Sequence, residues 1–381
     1  MNFRRYSIAL AAAAALALPA LSAQAEIKLA NIVELSGAGA SAGTNFKNGV
    51  EMAIAEINAS GGILGQKIAA TTNDTQSNPG VAKGLSQKAV DDGVFAVFGP
   101  VFSGSIMVSM AETQRAEVPN FTGGEAAAIT QKGNPYIFRT SFTQATAMPK
   151  VARYIAQNLK AKNVAVMFVN NDFGKGGRDA ITKALEANGV KVVADISTDQ
   201  GQVDFSAPVL KAKGVNADAL FVYTNEEESA RALRELRKQG FNKPIVGETT
   251  LTGQKVIDLA GEAADGATAH VGLTADAPIP AFRAFTAKYE KAYKSAPDHN
   301  SIKGYTGVYI LKAGIEKVGK LDRVAVAKEL HGMSITAAKN PGVLMDVSID
   351  ANGDLDRASF IVEVKGGKQI VKEVLPALGA K

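Results

Sequence analysis

The sequence predicts an α/β protein built as two doubly wound parallel-sheet lobes, and three of its features lead there. Apolar, β-rich runs alternate with amphipathic helical stretches from Glu26 to about Val271. The strand runs are apolar throughout, which marks strands covered by helices on both faces. The alternation also supplies more strands than one open sheet commonly holds, so they divide between two sheets.

Taken in order, Ile27–Leu35 reads as a buried strand. Thr44–Ala59 follows as a helix with Phe46, Val50, Ile54 and Ile57 on one face. Gly61-Gly62 breaks the chain before a second strand near Ile68–Thr72, and Pro79 then sits early in a helix, where its missing N–H does no harm. Val94–Phe98 is the third strand, Ser105–Arg115 a helix, and Pro119–Thr122 and Ile137–Thr140 are short strands. The rhythm restarts with the helix Met148–Leu159, the apolar strand Val164–Val169 and the helix Arg178–Asn188, closed by Gly189. Val190–Ile196, Val203–Lys213, Ala219–Tyr223, Glu227–Gln239 and Ile245–Gly247 continue the alternation.

The last third departs from it. Ala281–Lys294, Asn300–Gly319 and Arg323–His331 read as helices. Strands return at Gly342–Ile349 and Ser359–Val364, joined by Asp350-Ala351-Asn352-Gly353-Asp354, where Asn-Gly is a strong hairpin signal. That linker resembles the opening of a calcium loop, but Leu355 and Ile361 occupy the positions that need glycine and glutamate. Calcium is therefore not expected.

Residues 1–25 read as a cleavable export signal. Arg4 and Arg5 precede an Ala/Leu-rich core from Ile8 to Leu21, and Ala23-Gln24-Ala25 places the mature start at Glu26. The apolar run falls short of the ~20 residues that a membrane span needs. Phe3-Arg4-Arg5-Tyr6 fits a twin-arginine pattern poorly, so the general secretory route is expected. The chain has no cysteine, which excludes a lipid anchor on that residue and a disulfide framework. Stability must come from the core, and a 46% hydrophobic content over 381 residues is ample for it. Two of the 42 basic residues and none of the 37 acidic ones lie in the export signal, lowering the formal charge from +5 to +3. With near charge balance and no arginine-rich stripe, nucleic acid is not an expected partner.

Gly39-Ala40-Ser41-Ala42-Gly43 matches the G-x-S-x-G nucleophile elbow, but the strand ends near Leu35, and an elbow needs its serine at the strand-to-helix corner. A dinucleotide fingerprint starting at Gly37 fails by one residue, since Ala42 stands where the third glycine belongs. What both near-matches share is small residues at a helix start, which let backbone N–H groups approach a ligand. His270, His299 and His331 are far apart and in no metal-binding frame, so neither a metal nor a cofactor is expected. Glu226-Glu227-Glu228 reads as the acidic first turn of a helix.

The loops after the strands are more informative, because open parallel sheets bind ligands beyond their carboxyl ends. Residues 99–105, 121–125, 170–174, 223–225 and 247–250 combine glycines, hydroxyls, amides, aromatics and carboxylates. That composition suits a small zwitterion, with hydroxyls and helix N–H groups for a carboxylate and carboxylates for an ammonium.

At these loops the chain resembles the leucine/isoleucine/valine-binding proteins, the type I periplasmic solute-binding proteins of ABC transporters. The resemblance spans essentially the whole mature chain and is most specific at Glu56-Ile57-Asn58-Ala59-Ser60-Gly61-Gly62. Leu35-Ser36-Gly37, Asp74, Asp172-Phe173-Gly174 and the Leu236–Gly240 segment add to it. It implies a three-strand hinge, lobe 1 from residues 26–146 with 276–355, and lobe 2 from 147–275 with 356–381. It also implies a periplasmic monomer with no catalysis that closes on an amino-acid-like solute and delivers it to a membrane permease; a ligand sensor of the same fold is the alternative. By resemblance, Ser103 is the carboxylate-binding serine, beside Phe102, with contacts from Gly123 and Glu125. Tyr223 would form the second lobe's aromatic wall and Glu248 its ammonium-binding acid, with Phe173 a further ligand-binding candidate. Two positions depart from the branched-chain pattern: Glu125 stands in place of a threonine and Ala42 in place of a tyrosine. A second buried carboxylate needs a cation. Either the solute carries a further donor or positive charge, or Glu125 pairs with a cation of the protein.

Overall fold

A computed structural model describes residues 26–377, so the export signal read at residues 1–25 lies outside the described residues. The first sheet gathers β1 (Ile27–Val33), β2 (Ile68–Asp74), β3 (Ala96–Phe98), β4 (Asn120–Thr122) and β5 (Ile137–Arg139), all parallel, in the order β2-β1-β3-β4-β5. Helices α1 (Ala40–Ala59), α2 (Pro79–Asp91) and α3 (Ser103–Arg115) connect its first four strands.

The second sheet is fed by α4 (Gln144–Gln157), β6 (Asn163–Val169), α5 (Asp172–Ala187), β7 (Lys191–Thr198), α6 (Ser206–Lys213) and β8 (Ala219–Tyr223). Next come α7 (Glu226–Lys238), β9 (Ile245–Gly247), α8 (Thr249–Thr252), α9 (Gln254–Ala260) and β10 (Thr268–Val271). The chain returns to the first lobe as α10 (Pro280–Tyr293), α11 (His299–Val318) and α12 (Arg323–Leu330), followed by a small sheet of β11 (Ser334–Ile335), β12 (Val347–Ile349) and β13 (Leu355–Asp356). It ends on β14 (Ser359–Lys365) and β15 (Lys368–Leu375), which complete the second sheet in the order β15-β14-β10-β9-β8-β6-β7. The chain thus crosses between the second sheet and the elements of the first lobe three times, after β5, after β10 and after β13.

Two helices, α4 and α5, start earlier than apolar periodicity places them, because caps rather than buried faces set their starts. Thr143 accepts the Ala145 N–H and opens α4 four residues before Met148, and Asn171 accepts the Gly174 N–H at 2.9 Å and opens α5 at Asp172. Gly43 falls inside α1, where an added Cβ would stand 1.9 Å from the Glu34 carbonyl oxygen. The glycines of residues 39–43 therefore serve close packing of α1 on the strand before it.

The C-terminal strands differ from the sequence reading. Only Val347–Ile349 of the expected strand at 342–349 forms, and Asn352-Gly353 turns it onto β13 rather than onto β14. Asp354 in that turn is pinned by Arg139, Nε to Oδ1 at 2.6 Å. β14 pairs antiparallel with β10 and with β15, so the second sheet is mixed. β15 has no counterpart in the reading, although Gly366-Gly367, both at positive φ, are a hairpin turn.

The core of the first lobe rests on the crossing of α1 and α11. An added Cβ on Gly49 would meet the Ser301 carbonyl oxygen at 1.9 Å, and one on Gly304 would meet that of Phe46 at 2.2 Å. Backbone faces backbone in both directions, so no side-chain rotation can make room. Gly304→Ala is expected to destabilise the protein by about 1–3 kcal/mol through overpacking, whereas Gly84→Ala, exposed on α2 with open space at its Cβ, is neutral or stabilising. Urea unfolding of both variants checks the pair.

Candidate functional site

Glu34, at the carboxyl end of β1, is fully buried and its two oxygens accept the N–H groups of Val101 and Phe102 at 3.0 and 3.1 Å. Burial raises its pKa, and those backbone bonds oppose the rise. The clamp fixes the loop after β3 and aims the start of α3. Phe102, the N-cap of α3, makes no side-chain capping bond, so among the described residues the N–H groups of the first turn are left uncapped.

These groups face a cavity of about 220 Å³ between the two sheets. Its lining comes from the carboxyl ends of strands in both: residues 102–105 after β3, 123–125 after β4, Asp172 and Phe173 after β6, Asn225 and Glu226 after β8, and Thr250 after β9. Asn225 Nδ2 and Thr250 Oγ1 are buried with no hydrogen-bond partner among the described residues, and both residues line the cavity. Buried polar atoms are rarely left so. A polar ligand would satisfy them.

Of the residues singled out in the sequence, Ser103, Phe102, Gly123, Glu125 and Phe173 line this cavity, and Tyr223 and Glu248 do not. Tyr223 is fully buried, with its ring stacked on Phe173 at 4.1 Å between centroids. Its hydroxyl donates to Glu125 Oε2 at 3.0 Å and accepts from Gln144 Nε2 at 3.1 Å. It supports the aromatic wall from behind. Glu248 is the N-cap of α8, accepting the Thr249 N–H, with Oε1 3.0 Å from His270 Nδ1. Burial pushes His270 down to about 3, so that contact is a hydrogen bond to a neutral ring. The cavity-lining residues are Asn225 and Thr250, each two positions further along.

Glu125 has a cation of the protein. Lys303 Nζ, from α11, lies 3.1 Å from Glu125 Oε1, and both side chains are buried. Burial, then the neighbouring charge of Glu248, pushes the Glu125 carboxyl up to about 7, while Lys303 pulls it back. Lys303, His299 and Asn300, all cavity-lining, were missed because they come from a helix far along the chain and not from a loop after a strand. The available signal was an Asp298 cap followed by polar residues at one-turn spacing in an otherwise apolar helix. Glu226, read only as part of an acidic first turn, is buried here, with Asn300 Nδ2 at 3.0 Å and His299 Nε2 at 3.5 Å from Oε1.

A cavity between two doubly wound lobes, faced by a helix N-terminus and by buried polar groups with no partner among the described residues, defines a two-lobed solute-binding protein. The periplasmic binding protein family model matches residues 26–369. The chain is 30% identical over 356 residues to a Leu/Ile/Val-binding protein of Rhizobium johnstonii, covering 92% of this chain and 95% of that one. A Leu/Ile/Val/Thr-binding protein of Salmonella typhimurium is 28% identical, covering 92% and 94%. Among solved structures, the branched-chain amino acid transporter substrate-binding protein of Streptococcus pneumoniae in complex with isoleucine superposes with a TM-score of 0.84 at 26% identity, covering 92% and 100%. A Rhodopseudomonas palustris ABC-transporter solute-binding protein in complex with p-hydroxybenzoic acid also gives 0.84, at 25% identity, covering 93% and 98%. The chain belongs to the periplasmic binding protein family, with the Leu/Ile/Val-binding proteins.

The buried pair makes a pH-dependent prediction. Glu125, with its folded pKa raised from 4.5 to about 7, favours the folded state most below the unfolded value, and that contribution is lost as pH rises through 7. Lys303→Met removes the cation that tolerates the ionised carboxyl, at a cost of roughly 3 kcal/mol where Glu125 is charged. Urea melts should therefore show a larger loss at pH 8.5 than at pH 5, where Glu125 is protonated in both proteins.

Proposed function

We propose that this chain is the substrate-binding component of an ABC-type amino-acid transporter, exported through residues 1–25 and acting in the periplasm as a monomer without catalysis. The permease is its partner. Lobe 1 would comprise residues 26–146 with 276–355, and lobe 2 residues 147–275 with 356–381. Supporting that division are the three crossings to and from the second sheet.

One observation carries the reading: the open first turn of α3 and the orphaned polar groups of the opposite lobe line a single cavity. A helix N-terminus favours a carboxylate through free N–H groups and the helix dipole. Ser103 adds its hydroxyl. Phe102 and Phe173 supply an apolar surface for the solute's side chain. The names of the curated relatives point to amino acids. Those same two rings, together with the hydroxybenzoate bound by one structural neighbour, favour a second reading in which the solute is an aromatic carboxylic acid.

Thermal unfolding against the twenty amino acids and a set of benzoates tests both. A cognate solute at ~100 times its dissociation constant adds roughly 2.7 kcal/mol of stability. Ser103→Ala is expected to weaken binding roughly tenfold or more, because a hydrogen bond to a charged group is lost. Stabilisation by benzoates alone would replace the amino-acid reading, and a folded protein that responds to neither class would sink both.

A further inference from the structure

We propose that Glu226 is the residue that selects the solute's cationic group, taking the place expected of Glu125 or Glu248. The inference rests on the amino-acid reading above and names the residue that enforces it.

The other carboxylates at this end of the cavity are occupied. Glu125 has Lys303 Nζ at 3.1 Å on one oxygen and the Tyr223 hydroxyl at 3.0 Å on the other. Glu248 lies outside the lining, between the Thr249 N–H and His270. Asp298 caps α11, accepting the Ser301 N–H at 2.9 Å and the Asn45 amide at 2.8 Å. Asp172, also in the lining, is exposed to solvent.

Glu226 differs from all of these. It lines the cavity, is 4% exposed, and among the described residues no Lys or Arg lies within ion-pair distance of it. Its neighbours are the Asn300 amide and the His299 ring, which burial keeps neutral. The charged groups around it are Glu227 on its own helix, Asp298 and Lys303 from α11, Glu125 from the loop after β4, and Asp172 with Lys175 from α5 at the same cavity. A buried carboxylate without a cation is costly to ionise. A ligand ammonium would remove that cost, and its carboxylate would reach the first turn of α3 in the opposite lobe. A zwitterion would then tie the lobes together through its two charges.

Capture has a proton consequence. Burial, and then the charge of Glu227, pushes the Glu226 carboxyl up to about 8. In the empty protein at neutral pH it holds a proton, which an ammonium displaces. Affinity for an amino acid therefore rises as pH is raised toward 8 and levels off above it.

The test is calorimetric titration of the mature wild-type chain and of Glu226→Gln with each of the twenty amino acids, L-2-hydroxy-4-methylpentanoate and benzoate. Titrations run from pH 6 to 9 in buffers of different ionisation enthalpy. For the amino acid that binds the wild type, the expected result is a loss of roughly 100-fold in Glu226→Gln. The wild type should release up to about one proton at pH 7, and the variant none. The hydroxy acid and benzoate, which lack the ammonium, should not lose affinity in the variant. The wild-type proton release needs no substitution, so it stands as a measurement even if the variant folds poorly. If an amino acid binds both proteins equally, without proton release, the assignment of Glu226 is overturned and the amino-acid reading stands. If benzoate binds and no amino acid does, both fall.

Discussion

The arrangement of the site depends on one buried contact, the Glu125 carboxylate held between Lys303 and Tyr223. Its three partners come from three distant parts of the chain: the loop after β4, the second turn of α11, and the last residue of β8. Tyr223 belongs to the second sheet and Glu125 to a loop of the first, so the bond between them crosses from lobe to lobe. Lys303 is placed by the residue beside it, since Gly304 lets α11 approach α1 at backbone contact. The helix crossing, the ion pair and the aromatic wall that Tyr223 supports behind Phe173 are thus one connected structure. Breaking a buried pair on one side leaves an uncompensated charge, which is why such contacts act as fixed points.

With Glu125 committed, the polar character of the cavity comes from groups with less to hold them. On one side are the free N–H groups of α3, positioned by the Glu34 clamp on Val101 and Phe102. On the other are Glu226, Asn225 and Thr250, the last two with buried polar atoms lacking partners among the described residues. One face is rich in donors and the other holds an acid without a cation. This polarity across the lobes is what a zwitterion matches. A zwitterion spanning the cavity would hold the lobes together, because each lobe would lower the energy of one of its ends.

Much of this was legible in the sequence, and the limits have physical reasons. Strands β1, β6 and β8 could be read because both of their faces are buried, which makes them continuously apolar. The starts of α4 and α5 could not be read from periodicity, since Thr143 and Asn171 determine them through caps. Ser103, Gly123, Glu125 and Phe173 lie in the loops after strand ends, where parallel sheets hold their ligands, and all four line the cavity. At β8 and β9 the same rule marked residues 223–225 and 247–250, which hold the cavity-lining Asn225 and Thr250, whereas the family resemblance singled out Tyr223 and Glu248, two residues before them. Tyr223 is still within the strand, and Glu248 serves as a cap. Lys303 stands 178 residues from Glu125 on a helix that is otherwise core, and local pattern carries no record of such a pairing. The resemblance to branched-chain binders pointed to a threonine where Glu125 stands, and the protein itself supplies the cation that the substitution requires.

The central claim is that a solute spans the two lobes, with its carboxylate on α3 and its cation on Glu226. A crystal structure of the protein with its solute bound tests that most directly. The account predicts the carboxylate within hydrogen-bond distance of the Ser103 hydroxyl and the first-turn N–H groups, the ammonium against Glu226 and Thr250, and the Lys303–Glu125 pair intact. A solute held by Glu125 with Lys303 displaced, or lying outside this cavity, would contradict it.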